Sequence, residues 1–153
     1  MRLRIVRDVD VPPEALEAWW SDLREGSADH AFLGSDAPVW RRLRRLDDAV
    51  VRVEDEGRFF GMPLLERYDV RREPGRVVLE GANNFSIFRA TYDFEATSAG
   101  TRVTLEATLA PIGLLALLDP LGRPFVRRFL TRDLEGHLAD ARRDLQPGGG
   151  SPP

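Results

Sequence analysis

The chain has 153 residues, 42% of them hydrophobic and 31% charged, with a formal net charge of −3, which is the profile of one ordinary soluble domain and gives no global attraction to nucleic acid or anionic lipid. All 22 basic residues are Arg, a bias that points to a GC-rich bacterial genome and removes Schiff-base, P-loop and lysine-base chemistry. Cys is absent and only two His occur, which removes thiol nucleophiles, disulfides and thiolate or three-His metal sites. No metal and no cofactor is expected. The start, "MRLRIVRDVDVPPE", reads as mature protein without a signal peptide, and no run reaches the ~18 apolar residues of a membrane span. The expected location is the cytoplasm.

Residues 2–9 alternate, with Leu3 and Ile5 on one face, and predict a half-buried strand. "VPPEALEAWWSDLRE" predicts a helix: Pro12 and Pro13 suit its entrance, Glu14 its positive end, and Leu16, Trp19, Trp20 and Leu23 its apolar side. Residues 26–38 read as a short helix or a loop. Six strands are then expected at about 39–46, 49–60, 63–72, 76–82, 85–97 and 100–110. Their joints carry turn residues, among them Asp47-Asp48, Glu73-Pro74-Gly75, Asn83-Asn84 and Ser98-Ala99-Gly100. Joints this short favour sequential antiparallel hairpins. Segment 39–46 also fits helical spacing through Trp40, Leu43 and Leu46.

The last two strands alternate cleanly. Phe88, Ala90, Tyr92 and Phe94 oppose Arg89, Thr91, Asp93 and Glu95, and Val103, Leu105, Ala107 and Leu109 oppose Arg102, Thr104, Glu106 and Thr108. A sheet wetted on one side only is implied, and its apolar side needs a cover. From about Leu114 to Leu145 apolar residues recur at helical spacing, including Leu117, Leu121, Phe125, Phe129, Leu130, Leu134 and Leu138. Pro120 and Pro124 are expected to break or kink the first part. Residues 1–146 read as a single domain and 147–153, "PGGGSPP", as a disordered tail.

This order is α+β: a seven-stranded antiparallel sheet, two short helices after the first strand, and a long C-terminal helix. The segments "DVPPEALEAWWSDL", "GTRVTLEATLAP" and "RRFLTRDLEGHLADARRDL" give the chain a resemblance to the START-like (SRPBCC) superfamily, the helix-grip fold of polyketide cyclases and the birch-pollen allergen. The resemblance implies a curved sheet wrapped around the long helix, with a pocket between them for lipids, polyketides, quinones or similar molecules. It also implies that Trp20, Phe32, Trp40, Phe59, Phe88, Tyr92, Phe125, Phe129 and Leu130 furnish cavity walls, although each alone fits an ordinary core.

Polar candidates are few. Glu66 in "PLLERYDV" shares strand parity with Leu64, Tyr68 and Val70; pointing inward it would have a raised pKa and serve as acid, base or ligand anchor, whereas a bulge would turn it to solvent. Asp133 and His137 stand one helical turn apart at the edge of the leucine stripe, a proton-transfer pair if both face the cavity and a boundary salt bridge if not. His30 lies in the loop expected to rim the pocket. The arginines of "WRRLRR" read as a solvated, acid-paired surface. "PIGLLALLDPLGRP" and the 26–38 loop would gate access.

The expected function is non-enzymatic binding of a small hydrophobic molecule, with no nucleic acid as partner, by a monomer or homodimer. The alternative is a cyclase or dehydratase using Glu66, Tyr92, Asp133 or His137, against which stands the scarcity of convergent polar residues. A third class shares the fold: an interaction module like the activator domains of the Hsp90 chaperone.

Overall fold

The computed structural model describes residues 1–23, 26–28, 39–59, 61–113 and 119–145. Its elements are β1 (Arg2–Val9), α1 (Pro13–Trp20), β2 (Gly26–Ala28), β3 (Val39–Arg45), β4 (Val50–Phe59), β5 (Met62–Glu73), β6 (Arg76–Asn83), β7 (Ser86–Thr97), β8 (Gly100–Pro111) and α2 (Asp119–Leu145). The strands form one antiparallel sheet in the order β1-β8-β7-β6-β5-β4-β3-β2. The seven expected strands are there, and residues 26–28 of the segment read as helix or loop add a three-residue eighth beside β3. Any second short helix, together with the expected gate, falls largely on residues 29–38 and 114–118, outside the described residues.

The inner face of the sheet is built in cross-strand rows. Ile5, Leu105, Tyr92 and Val77 stand opposite one another on β1, β8, β7 and β6, and Leu3, Ala107, Ala90, Leu79 and Val70 make a second row reaching β5. All nine are buried. Leu130, Leu134, Leu138 and Ala141 of α2 and Leu16 of α1 complete this core. Burying each large apolar side chain contributes about 1.5–3 kcal/mol. The outer face carries cross-strand charge pairs in register, such as Arg52–Asp69, Arg67–Glu54 and Arg89–Glu80, each worth little alone because it is solvated.

Polar bonds seat the helices. Glu17 accepts from the backbone N–H of Gly75 (3.1 Å), Arg72 donates to the Ser21 carbonyl, and Trp19 Nε1 donates to Asp144 Oδ2 near the end of α2 (3.0 Å). Contrary to the expected break, α2 runs through Pro124. Pro120 occupies the first turn, where its missing N–H has no helical partner to lose.

Gly81 is a point of close approach within the sheet. It stands opposite both Tyr68 and Phe88, whose ring centroids lie 6.0 Å apart. A Cβ there would fall 2.2 Å from the Arg67 carbonyl oxygen and 2.4 Å from Tyr68 Cβ. The backbone would have to move. Gly81→Ala is therefore expected to lower stability by about 1–3 kcal/mol; a denaturant midpoint unchanged from the parent would show that β5 and β6 are further apart than described.

Candidate functional site

At one end of the inner face the apolar rows give way to a polar one. Arg41 on β3 stands opposite Asp55 on β4, Asp55 opposite Glu66 on β5, and Glu66 opposite Asn83 on β6. The row crosses four strands, and period-two alternation turns every member inward. Asp55, Glu66 and Asn83 are 4%, 3% and 6% exposed.

Arg41 and Asp55 form a bidentate pair: Nε donates to Oδ1 at 2.8 Å and Nη2 to Oδ2 at 2.7 Å. Nη2 also donates to the Tyr68 hydroxyl (3.2 Å), which in turn donates to Asp55 Oδ2 (3.1 Å). Burial pulls the Arg41 guanidinium down. The Asp55 hydrogen bond and the charges of Tyr68, Asp55 and Glu66 outweigh this, so its pKa is raised and it stays charged. Burial likewise holds the Tyr68 phenol well above its ordinary value.

Glu66 is less well served. Asn83 Nδ2 donates to Oε1 at 2.9 Å, while Asn83 Oδ1 accepts from the N–H groups of Phe85 and Ser86 to close the β6–β7 turn (2.9 and 2.8 Å). Burial pushes the Glu66 carboxyl up to about 7; the Asn83 bond and Arg41 pull it down, and the Asp55 charge pushes it up. Asp133 of α2 lies within electrostatic range of this row. The Asp133 side chain is 8% exposed, and burial and the Glu66 charge raise its pKa well above the carboxylate range. Among the described residues one cation thus meets three inward carboxyl groups.

Asp133 also joins the polar row to an aromatic group. Tyr92, buried and held well above its ordinary pKa by burial and then by the Asp133 charge, packs on Trp20 at 4.9 Å, and Trp20 on His137 at 5.4 Å. His137 Nδ1 lies 2.9 Å from the Asp133 backbone oxygen and 3.7 Å from its carboxylate. The expected carboxylate–imidazole pair is therefore a loose one. The backbone carbonyl sets the ring.

Of the other candidates, Leu64, Tyr68, Phe88 and Leu130 are buried, and Phe129 packs against the core. Two assignments are corrected. Phe125 is 54% exposed, because at 100° per residue it lies about 140° around α2 from Leu130. Trp40 is 56% exposed, because the alternation that turns Arg41 in turns Trp40 out. His30, Phe32 and the Phe59 side chain lie outside the described residues, as does the 147–153 tail. The reading of "WRRLRR" as wholly surface is overturned by Arg41, and the scarcity of convergent polar groups by the row itself. Arg41, Asp55 and Asn83 were not singled out from the sequence.

The outer face holds a groove of about 600 Å³ whose lining includes Arg52, Arg67, Asp69 and Arg89. Tyr68, Gly81 and Phe88 line it as well. Among the described residues no cluster of His, Cys, Asp or Glu is arranged to hold a metal ion, and no helix is long and apolar enough to cross a membrane.

A covered inner face, a long helix over it and polar groups between them also describe a known family, whose pattern matches residues 1–146. The chain belongs to the polyketide cyclase / dehydrase and lipid transport family. Among solved structures it is similar to a protein from Thermus thermophilus (TM-score 0.74, 18% identity, covering 95% of this chain and 100% of that one). It is similar also to the Zhui aromatase/cyclase from Streptomyces sp. R1128 (0.73, 11%, 99% and 99%). A third is the di-domain aromatase/cyclase BexL from the BE-7585A biosynthetic pathway (0.69, 16%, 96% and 51%), about half of which this family member spans. Identities this low support the shared fold. No curated protein matches the chain.

Glu66 makes stability depend on pH. Its proton is held more tightly in the folded state, at about 7, than at its ordinary 4.5. Between those values the folded chain binds more protons than the unfolded one, so this contribution is lost as pH rises. Glu66→Gln keeps an acceptor for Asn83 and removes the ionisation. Relative to the parent, the variant should gain up to about 3 kcal/mol between pH 4 and pH 8. Parallel stability profiles for the two proteins would show that Glu66 is solvated.

Proposed function

We propose that this family member encloses a small hydrophobic molecule between the inner face of the sheet and α2, with the polar row orienting it. The observation that carries the reading is the burial of Glu66 and Asp133, two desolvated carboxyl groups within electrostatic range of each other in an otherwise apolar interior. Apolar interiors retain such groups only where they are satisfied or used. Ligand burial would supply affinity at about 25 cal/mol per Å² of apolar surface, less the cost of ordering. Tyr68, Tyr92 and Asn83 would set the orientation of polar substituents.

A second reading gives Glu66 and Asp133 chemical roles. A carboxyl near pKa 7 is poised for proton transfer at neutral pH, and the family includes polyketide cyclases and dehydrases. In an aldol cyclisation, ionised Glu66 would take a proton from a methylene between two carbonyls. The freed electron pair would form the carbon–carbon bond to a third carbonyl carbon, and protonated Asp133 would give its proton to the resulting alkoxide. Loss of water would follow. Glu66→Gln would abolish such turnover while leaving binding in place.

The binding reading is tested by native mass spectrometry of gently purified protein, with organic extraction of anything bound. A stoichiometric apolar molecule is expected. Phe129→Trp, which adds bulk where α2 meets the core, should weaken binding of that molecule about tenfold. Unchanged binding in a folded variant would place the ligand elsewhere.

A further inference from the structure

We propose that this site is charge-selective and proton-linked: Glu66 and Asp133 donate hydrogen bonds to an uncharged oxygen of the ligand, refuse anionic ligands, and release the bound molecule as they ionise. The inference rests on the binding reading above and adds to it what the polar end of the ligand must be.

Among the described residues the inward cation of the row is Arg41, and it is already engaged. It spends Nε and Nη2 on both oxygens of Asp55, and Nη2 reaches Tyr68 as well. A ligand carboxylate or phosphate that took over Nε or Nη2 would break the bidentate pair and leave Asp55 buried and unpaired; only Nη1 remains to offer it, on a guanidinium whose side chain is 12% exposed and whose charge Asp55 already balances. Such an anion would also add a negative charge beside Asp55, Glu66 and Asp133. Among the described residues of the row a fatty acid head group would find only a cation already balanced by Asp55.

Besides Arg41 Nη1, free hydrogen-bonding capacity lies on the two carboxyls. Asn83 occupies only Oε1 of Glu66, and His137 Nδ1 stands 3.7 Å from the Asp133 carboxylate, beyond hydrogen-bond reach. Glu66 is faced by Asp55 from β4 and Asn83 from β6, with Arg41 next along the row on β3, and its charge reaches Asp133 on α2. Asp133 is faced by Glu66 from β5, Tyr92 from β7 and His137 from its own helix. With one arginine for three acids, and only a 3.7 Å contact from His137 to Asp133, protonation is the balance available to the pair in a desolvated site. A protonated carboxyl is a donor, and its complement is a ketone, ester carbonyl, hydroxyl or phenol oxygen. Ionisation removes the donors and leaves two charges against a neutral oxygen.

The test uses ten-carbon probes that differ only at the polar end: 2-decanone, 1-decanol, decanoate and decylamine. Their Kd values are measured by calorimetry on the intact chain at about pH 5.5 and about pH 8.5. The ketone and alcohol should bind at the lower pH and weaken by about tenfold or more at the higher, as a group titrating near 7 requires. Decanoate at the higher pH should bind at least about tenfold more weakly than the alcohol. In the Glu66→Gln/Asp133→Asn variant, with its fold checked by circular dichroism, the pH dependence should flatten to less than about threefold. Decanoate bound as tightly as the alcohol, decylamine bound tightest, or an unchanging parent profile would each overturn the selectivity while leaving the binding reading intact. If no probe binds to the folded parent, the binding reading falls and the selectivity falls with it.

Discussion

The bidentate bond between Arg41 and Asp55 is what lets this sheet carry charge on its covered face. Both groups lie under the helix-bearing side of the sheet, and either one alone would be an uncompensated buried ion costing several kcal/mol. Together, with the Tyr68 hydroxyl bridging them, they form a closed unit. Closure has a consequence for the neighbours. It uses both donor atoms of the row's one arginine that face Asp55, so Glu66, the next residue along the same cross-strand row, feels Arg41 only at longer range, and Asp133 has the 3.7 Å contact with His137. The electrostatics of the site follow from that shortage.

The rest of the interior tolerates the shortage because it is strongly apolar. The Leu16, Val53, Val77, Val103, Leu130 and Leu134 side chains are sealed from solvent, and antiparallel registry places Val53 in the row next to the polar one and Val77 and Val103 in rows further along the sheet. Stability comes from those rows and from the cover that α1 and α2 provide. The Trp20, Tyr92 and His137 rings join the two regions. The polar row is thus supported by a core that does not depend on it, an arrangement that permits a few strained electrostatic groups in one place.

Much of the architecture was legible in the sequence because its signals are local. Alternation in 86–97 and 100–111 marks strands wet on one side, and turn residues at short spacing dictate antiparallel neighbours. Glu66 was legible for the same reason, since Leu64, Tyr68 and Val70 fix its parity. Asp55 was not, because "VEDEGR" places Glu54, Asp55 and Glu56 side by side and offers no hydropathy contrast between inside and outside. Only registry with Arg41 distinguishes them. Arg41 was hidden in a run of arginines beside a tryptophan, and the larger apolar residue, Trp40, is the one that faces out. Asn83 was read as a turn residue, which it is; its second role uses the amide nitrogen that the turn leaves over. Phe125 was misplaced because stepping four residues at a time along a 3.6-residue helix drifts off the buried stripe.

The proposed role of this site depends on Glu66 and Asp133 being desolvated and short of positive charge. Carbon-13 NMR of their side-chain carboxyls across a pH titration reads this directly. A Glu66 midpoint near 7 and an Asp133 midpoint displaced upward from the ordinary carboxylate range are expected. Two midpoints near the ordinary value of about 4 would mean that both groups are solvated, and that the polar row is part of the surface rather than of a ligand site.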